Sequence, residues 1–186
     1  MVSLIEQLPR QVSSTSLNQL FAAAVGQARS GHFAKAMSIC KEIEKYAPES
    51  PELLGLMGAI YQATGDIKSA IRLLEKTLAI DPVNHTALSN LGLALKEQGN
   101  FTSALASTLK SLELKPDNPT AHMNLGGIYK DLGQFDQALT STLKSLELKP
   151  DNPDAHINLG GGYTALGQCE QALAATLKSL ELKPDN

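Results

Sequence analysis

The sequence predicts an all-α solenoid of five helix-turn-helix repeats, and three observations predict it. The phrase Lys-Pro-Asp-Asn returns at 115–118, 149–152 and 183–186, a period of 34 residues, and a fixed period between about 20 and 50 marks stacked supersecondary units. Glycine recurs at the fifteenth position of every unit, at Gly31, Gly65, Gly99, Gly133 and Gly167. Proline recurs near every unit's end, at Pro48, Pro82, Pro116, Pro150 and Pro184. Stepping back by one period divides the chain into repeats 17–50, 51–84, 85–118, 119–152 and 153–186, preceded by a segment 1–16.

Each repeat reads as two helices. Ser50-Pro51, Asn118-Pro119 and Asn152-Pro153 place a capping side chain before a proline at the first helical position, where its missing N–H costs nothing. Ser16 and Gln19 have the spacing of a capping box for the first repeat. The recurrent glycine supplies the left-handed residue that stops the first helix, and the proline ends the second. Helices this short are marginal alone in water, so each must bury an apolar stripe on its neighbours. In the fourth repeat His122, Leu125, Gly126 and Tyr129 share one helical face. Gly126 and Ala138 are small where two helices cross, and Leu139, Leu143, Leu146 and Leu148 make the second helix's apolar surface.

Composition narrows the function. Of 186 residues 42% are hydrophobic, but aromatics reach only 4% and Trp is absent, which suits Leu/Ala/Gly packing between helix pairs. A net charge of -3 gives no field that would draw in nucleic acid or an anionic membrane. No apolar run nears the roughly 20 residues of a membrane span, and Met1–Glu6 lacks a signal peptide's basic start. A cytoplasmic location follows as the expectation. Cys40 and Cys169 are too distant along a linear stack to pair, and are expected as buried or half-buried free thiols.

The landmarks resemble the tetratricopeptide repeat, whose pattern runs Trp-x2-Leu-Gly-x2-Tyr, then Ala-x3-Phe, then Pro. Here they read His122-x2-Leu125-Gly126-x2-Tyr129, Ala138-x3-Thr142, Pro150, with equivalents His156, Leu159-Gly160, Tyr163, Ala172, Thr176 and Pro184. The second repeat has Leu54, Met57-Gly58, Tyr61, Ala70, Leu74 and Pro82. His stands in place of Trp, and Thr108, Thr142 and Thr176 in place of a bulky residue; their hydroxyls are expected to bond back one turn. Pentatricopeptide repeats, the nearest confusable family, usually run one residue longer and carry basic grooves.

The resemblance implies a right-handed superhelix whose first helices line a concave groove that binds a protein or peptide. Opposite the buried stripe lie Met123, Asn124, Gly127 and Lys130, and, one repeat on, Ile157, Asn158 and Gly161. Asn90, Asn124 and Asn158 share the sixth position. They resemble the asparagine ladder of the O-GlcNAc transferase superhelix, which would pair with an extended peptide backbone; the alternative is hydrogen bonding between repeats. Phe21, Val25, Leu56, Ala59 and Leu93 make the groove's first half apolar, either open to a partner or covered by residues 1–16. Lys96 and Lys130 add positive charge that Glu97 and Asp131 offset. The fifth position holds Phe21, Gly55, Ser89, Met123 and Ile157 rather than the lysine with which related domains grip acidic chaperone tails.

No catalytic, metal or cofactor constellation is readable. His122 and His156 replace an inward aromatic, and no Cys, His or carboxylate set completes a zinc site. Gly126-Gly127 and Gly160-Gly161-Gly162 lie within helices, not in a strand-to-helix phosphate loop. A non-enzymatic interaction scaffold is the leading expectation. The Lys-Ser-Leu-Glu-Leu-Lys-Pro-Asp-Asn phrase also resembles bacterial, in particular cyanobacterial, repeat arrays ahead of sulfotransferase or glycosyltransferase domains, so a targeting arm of a larger enzyme is the alternative. A third reading is self-association through Leu173, Leu177, Leu180 and Leu182, which a terminal repeat would leave bare.

Overall fold

The computed structural model describes residues 14–183, which form ten helices with no strand among them. They are α1 (Ser14–Arg29), α2 (Phe33–Glu44), α3 (Pro51–Ala63), α4 (Ile67–Ile80), α5 (His85–Glu97), α6 (Phe101–Leu114), α7 (Pro119–Asp131), α8 (Phe135–Leu148), α9 (Pro153–Ala165) and α10 (Cys169–Leu182). Odd-numbered helices are the first of each repeat and even-numbered ones the second. Each helix packs on the next, and each odd helix also touches the next odd helix. No described helix contacts one further away, so the helix pairs stack in one dimension.

The boundaries follow from local chemistry. The Ser50, Asn84, Asn118 and Asn152 side chains accept backbone N–H bonds at the starts of α3, α5, α7 and α9. Asp66 and Asn100 do the same for α4 and α6. All five predicted stop glycines adopt positive φ, from 72° to 86°. The Ser16 capping box does not form the first boundary. α1 is already helical at Ser14, the first described residue, which places Ser16 inside the helix. The proposed cap over the groove rests on the segment 1–16, of which 1–13 lie outside the described residues.

The core changes character along the stack. In the first repeat the second helix buries Cys40 and Ile43, and in the second Leu74 and already a threonine, Thr77. From the third repeat onward the same positions hold Thr108 and Ser111, Thr142 and Ser145, then Thr176 and Ser179. Thr108 and Thr176 donate to the carbonyls of Ala104 and Ala172 at 2.8 and 2.9 Å, the predicted back-bond. Ser111 and Ser145 instead cross between helices, donating to the carbonyls of His85 and Pro119 at 2.6 and 2.8 Å. Each such bond contributes roughly 0.5–1.5 kcal/mol net and fixes the second helix against the first turn of its partner.

Two expectations need correction. Leu143 is 47% exposed and adds little to α8's packing surface. Cys169 opens α10 and is exposed, whereas Cys40 is fully buried.

Candidate functional site

The odd helices carry the positions expected to line the groove, and two ladders tie these helices together with a step of 35 residues. In the first, the sixth position of one repeat reaches the fifth of the repeat before. Asn124 Nδ2 donates to Ser89, at 3.2 Å to both its carbonyl and its hydroxyl. Asn158 Nδ2 donates to the Met123 carbonyl at 3.5 Å. In the second, the twelfth position reaches the thirteenth of the next repeat. Gln62 donates to Glu97 at 3.3 Å, and Lys96 pairs with Asp131 at 3.5 Å. This ladder ends at Lys130, because its counterpart acceptor is Ala165.

The three asparagines therefore differ. Asn124 is 3% exposed and its Oδ1 is buried without a partner. Asn158 is half-buried with its amide engaged. Asn90 is half-buried, makes no hydrogen bond through its side chain among the described residues, and lines two adjoining hollows.

The first hollow is a cleft of about 320 Å³ between α1, α3 and α5, lined by Phe21, Val25, Leu56, Ala59, Thr86 and Asn90 among others. Its walls are mainly apolar. Val25, Leu56 and Ala59 also line a second apolar hollow of about 280 Å³ with Phe33 and Ile60. The other hollow that meets Asn90 is polar, about 250 Å³, and bounded by His85, Thr86, Ser89, Lys115, Asn118 and Thr120. Thr86 and Asn90 are shared, so the apolar and polar halves meet there. Leu93 is half-buried on α5 but lines neither hollow. Met123 and Ile157 lie further along: Met123 is half-buried, Ile157 46% exposed.

Lys96 and Lys130 lie over glycines. A Cβ on Gly127 would sit 3.6 Å from Lys96 Nζ, and one on Gly161 3.4 Å from Lys130 Cδ. These are ordinary van der Waals distances, so each lysine stem lies across the ninth position of the next odd helix, a placement that sequence reading alone did not assign.

His122 and His156 have a fastening role. Their Nε2 atoms donate to the carbonyls of Pro116 and Pro150 at 2.8 and 3.1 Å, pinning each preceding turn to its helix. Among the described residues no three His, Cys, Asp or Glu side chains gather as metal ligands. No described helix is long and apolar enough to cross a membrane.

Helix pairs stacked one on the next, in contact only with neighbouring pairs, define a helical-repeat solenoid. A tetratricopeptide-repeat family model matches residues 27–92, and a TPR-repeat model matches 92–130 and again 126–161. The chain belongs to the tetratricopeptide-repeat family. No curated protein matches it in sequence. A thermophilic TPR protein of Thermus thermophilus superposes with a TM-score of 0.81 at 23% identity, over 91% of this chain and 93% of that one. A MamA structure superposes at 0.65 with 25% identity, over 87% and 94%, and a MamA RS-1 double mutant at 0.67 with 22%, over 90% and 94%. These likenesses show the fold.

Proposed function

We propose that the chain is an interaction scaffold that seats an extended partner segment across α1, α3 and α5. The partner's large apolar side chain fills the cleft of Phe21, Val25, Leu56 and Ala59, and its backbone pairs with Asn90. The observation carrying this reading is the Asn90 amide, unbonded among the described residues, at the meeting of an apolar and a polar hollow. A carboxamide offers both donor and acceptor, so it recognises a peptide group whatever the neighbouring side chains are. Asn124 and Asn158 play a different part, holding successive repeats in register so that the groove is preformed and little ordering is lost on binding.

A displayed library of random peptides, selected on the full chain, tests this. Enriched peptides are expected to share one large apolar anchor. Their affinity should fall roughly 3- to 10-fold in Asn90→Ala, the range of one or two net hydrogen bonds, and further in Val25→Glu. Asn158→Ala should change binding little. Selected peptides that bind Asn90→Ala and Val25→Glu as tightly as the parent would overturn the reading.

A further inference from the structure

The two hollows that meet at Thr86 and Asn90 carry opposite charge. Among the described residues lining the apolar cleft, Glu52 is the only charged one. Among those lining the polar hollow, Lys115 is the only lysine, arginine or carboxylate. Both side chains are exposed, and neither pairs with an opposite charge among the described residues. The Ser50 hydroxyl donates to Glu52 Oε2 at 2.6 Å and holds this carboxyl below its ordinary pKa, so the cleft stays negative at neutral pH.

The reversal happens within a single step of the stack. The hollows are successive copies of one feature, each lined by the first, second, fifth and sixth positions of one repeat and by a capping asparagine, Asn84 or Asn118. Glu52 and Thr86 hold the second position of α3 and α5, while Asp81 and Lys115 hold the C-caps of α4 and α6. From one copy to the next, one acid becomes neutral and another becomes a base.

The apolar cleft and Asn90 cannot orient a ligand by themselves. A carboxamide both donates and accepts, and an apolar side chain fills a cleft whichever way its backbone runs. Opposite charges on the two sides of the anchor break that symmetry, because complementary charges fix register and reject the reversed arrangement. We propose that the partner segment is dipolar, with a lysine or arginine flanking its apolar anchor on the Glu52 side and an aspartate or glutamate on the Lys115 side. The inference rests on the scaffold reading above and adds a direction to it.

The peptides selected on the full chain test this through their order. They should share a basic residue, the apolar anchor and an acidic residue, in one chain direction. Replacing the basic residue by alanine should weaken binding to the parent roughly 2- to 5-fold, the range of an exposed ion pair. The same replacement should change nothing on Glu52→Gln, which keeps an acceptor for Ser50 but no charge. Replacing the acidic residue should likewise weaken binding to the parent and be silent on Lys115→Gln. A peptide with its two charges exchanged should bind the Glu52→Lys/Lys115→Glu double variant more tightly than the original peptide does, with circular dichroism unchanged. Selected peptides without a charge preference, or with the charges in either order, overturn the inference. So do peptide charges whose removal costs as much on Glu52→Gln and Lys115→Gln as on the parent. In each of these cases, weaker binding to Val25→Glu leaves the scaffold reading standing. Peptides indifferent to both Val25→Glu and Asn90→Ala remove that reading, and this one with it.

Discussion

Neighbouring glycines of α7 have opposite consequences, and geometry decides the sign. A Cβ on Gly126 would overlap the Thr142 hydroxyl and approach the Ala138 carbonyl oxygen to 3.1 Å. Overpacking of this kind typically costs about 1–3 kcal/mol, more than the roughly 1 kcal/mol gained by replacing a helical glycine with alanine. A Cβ on Gly127 meets only Lys96 at 3.6 Å from Nζ and Asn158 Nδ2 at 3.7 Å, ordinary contacts. Gly126→Ala is therefore expected to lower the urea midpoint and Gly127→Ala to raise it, with Thr142→Ala restoring part of the Gly126→Ala loss. The two cysteines diverge in the same way. Burial, reinforced by the charge of Glu44, pushes the Cys40 thiol up to about 11, while Cys169 is exposed. Since the thiolate is the reactive form, an aromatic disulfide reagent at mildly alkaline pH should titrate one thiol in the folded protein. The second should react only on unfolding; two thiols reacting at one fast rate would contradict the packing around Cys40.

Among the elements, the helices were legible because each end carries its own chemistry. Asn118-Pro119 and Asn152-Pro153 announce a start, and a glycine with no Cβ to clash announces a stop. Asn84 caps α5 by the same bond but is followed by His85, and without the proline it did not stand out. The groove was less legible. Asn90, Asn124 and Asn158 are one letter in one register, yet what each amide does depends on the preceding repeat. Ser89 offers a carbonyl and a hydroxyl to Asn124, Met123 offers a carbonyl to Asn158, and no bond joins Asn90 to Gly55. The ladders step by 35 residues whereas the sequence repeats every 34, because each rung crosses to an adjacent position of the next helix. That offset comes from how the helices lie against one another, which no periodicity reveals. The cleft's apolar lining was readable because Phe21, Val25, Leu56 and Ala59 sit at positions that would carry charge on a solvated face.

Over the whole molecule, contacts reach only to neighbouring helices, so local stability depends on place in the stack as well as on sequence. α7 has α5 and α6 on one side and α8 and α9 on the other; among the described residues α9 has only α10 beyond it. Composition adds to this difference. Where α7 has Ile128, fully buried, α9 has Gly162, which forfeits roughly 1.5–3 kcal/mol of side-chain burial and about 1 kcal/mol of helix propensity. Gly160 and Gly162 cannot simply be replaced, since Thr176 and Leu139 occupy the space a Cβ would need. Amides of 154–166 should therefore exchange faster than those of 120–132, by about tenfold for each 1.4 kcal/mol of difference in opening free energy. Equal protection of α7 and α9 would mean that the glycines of α9 do not govern opening there.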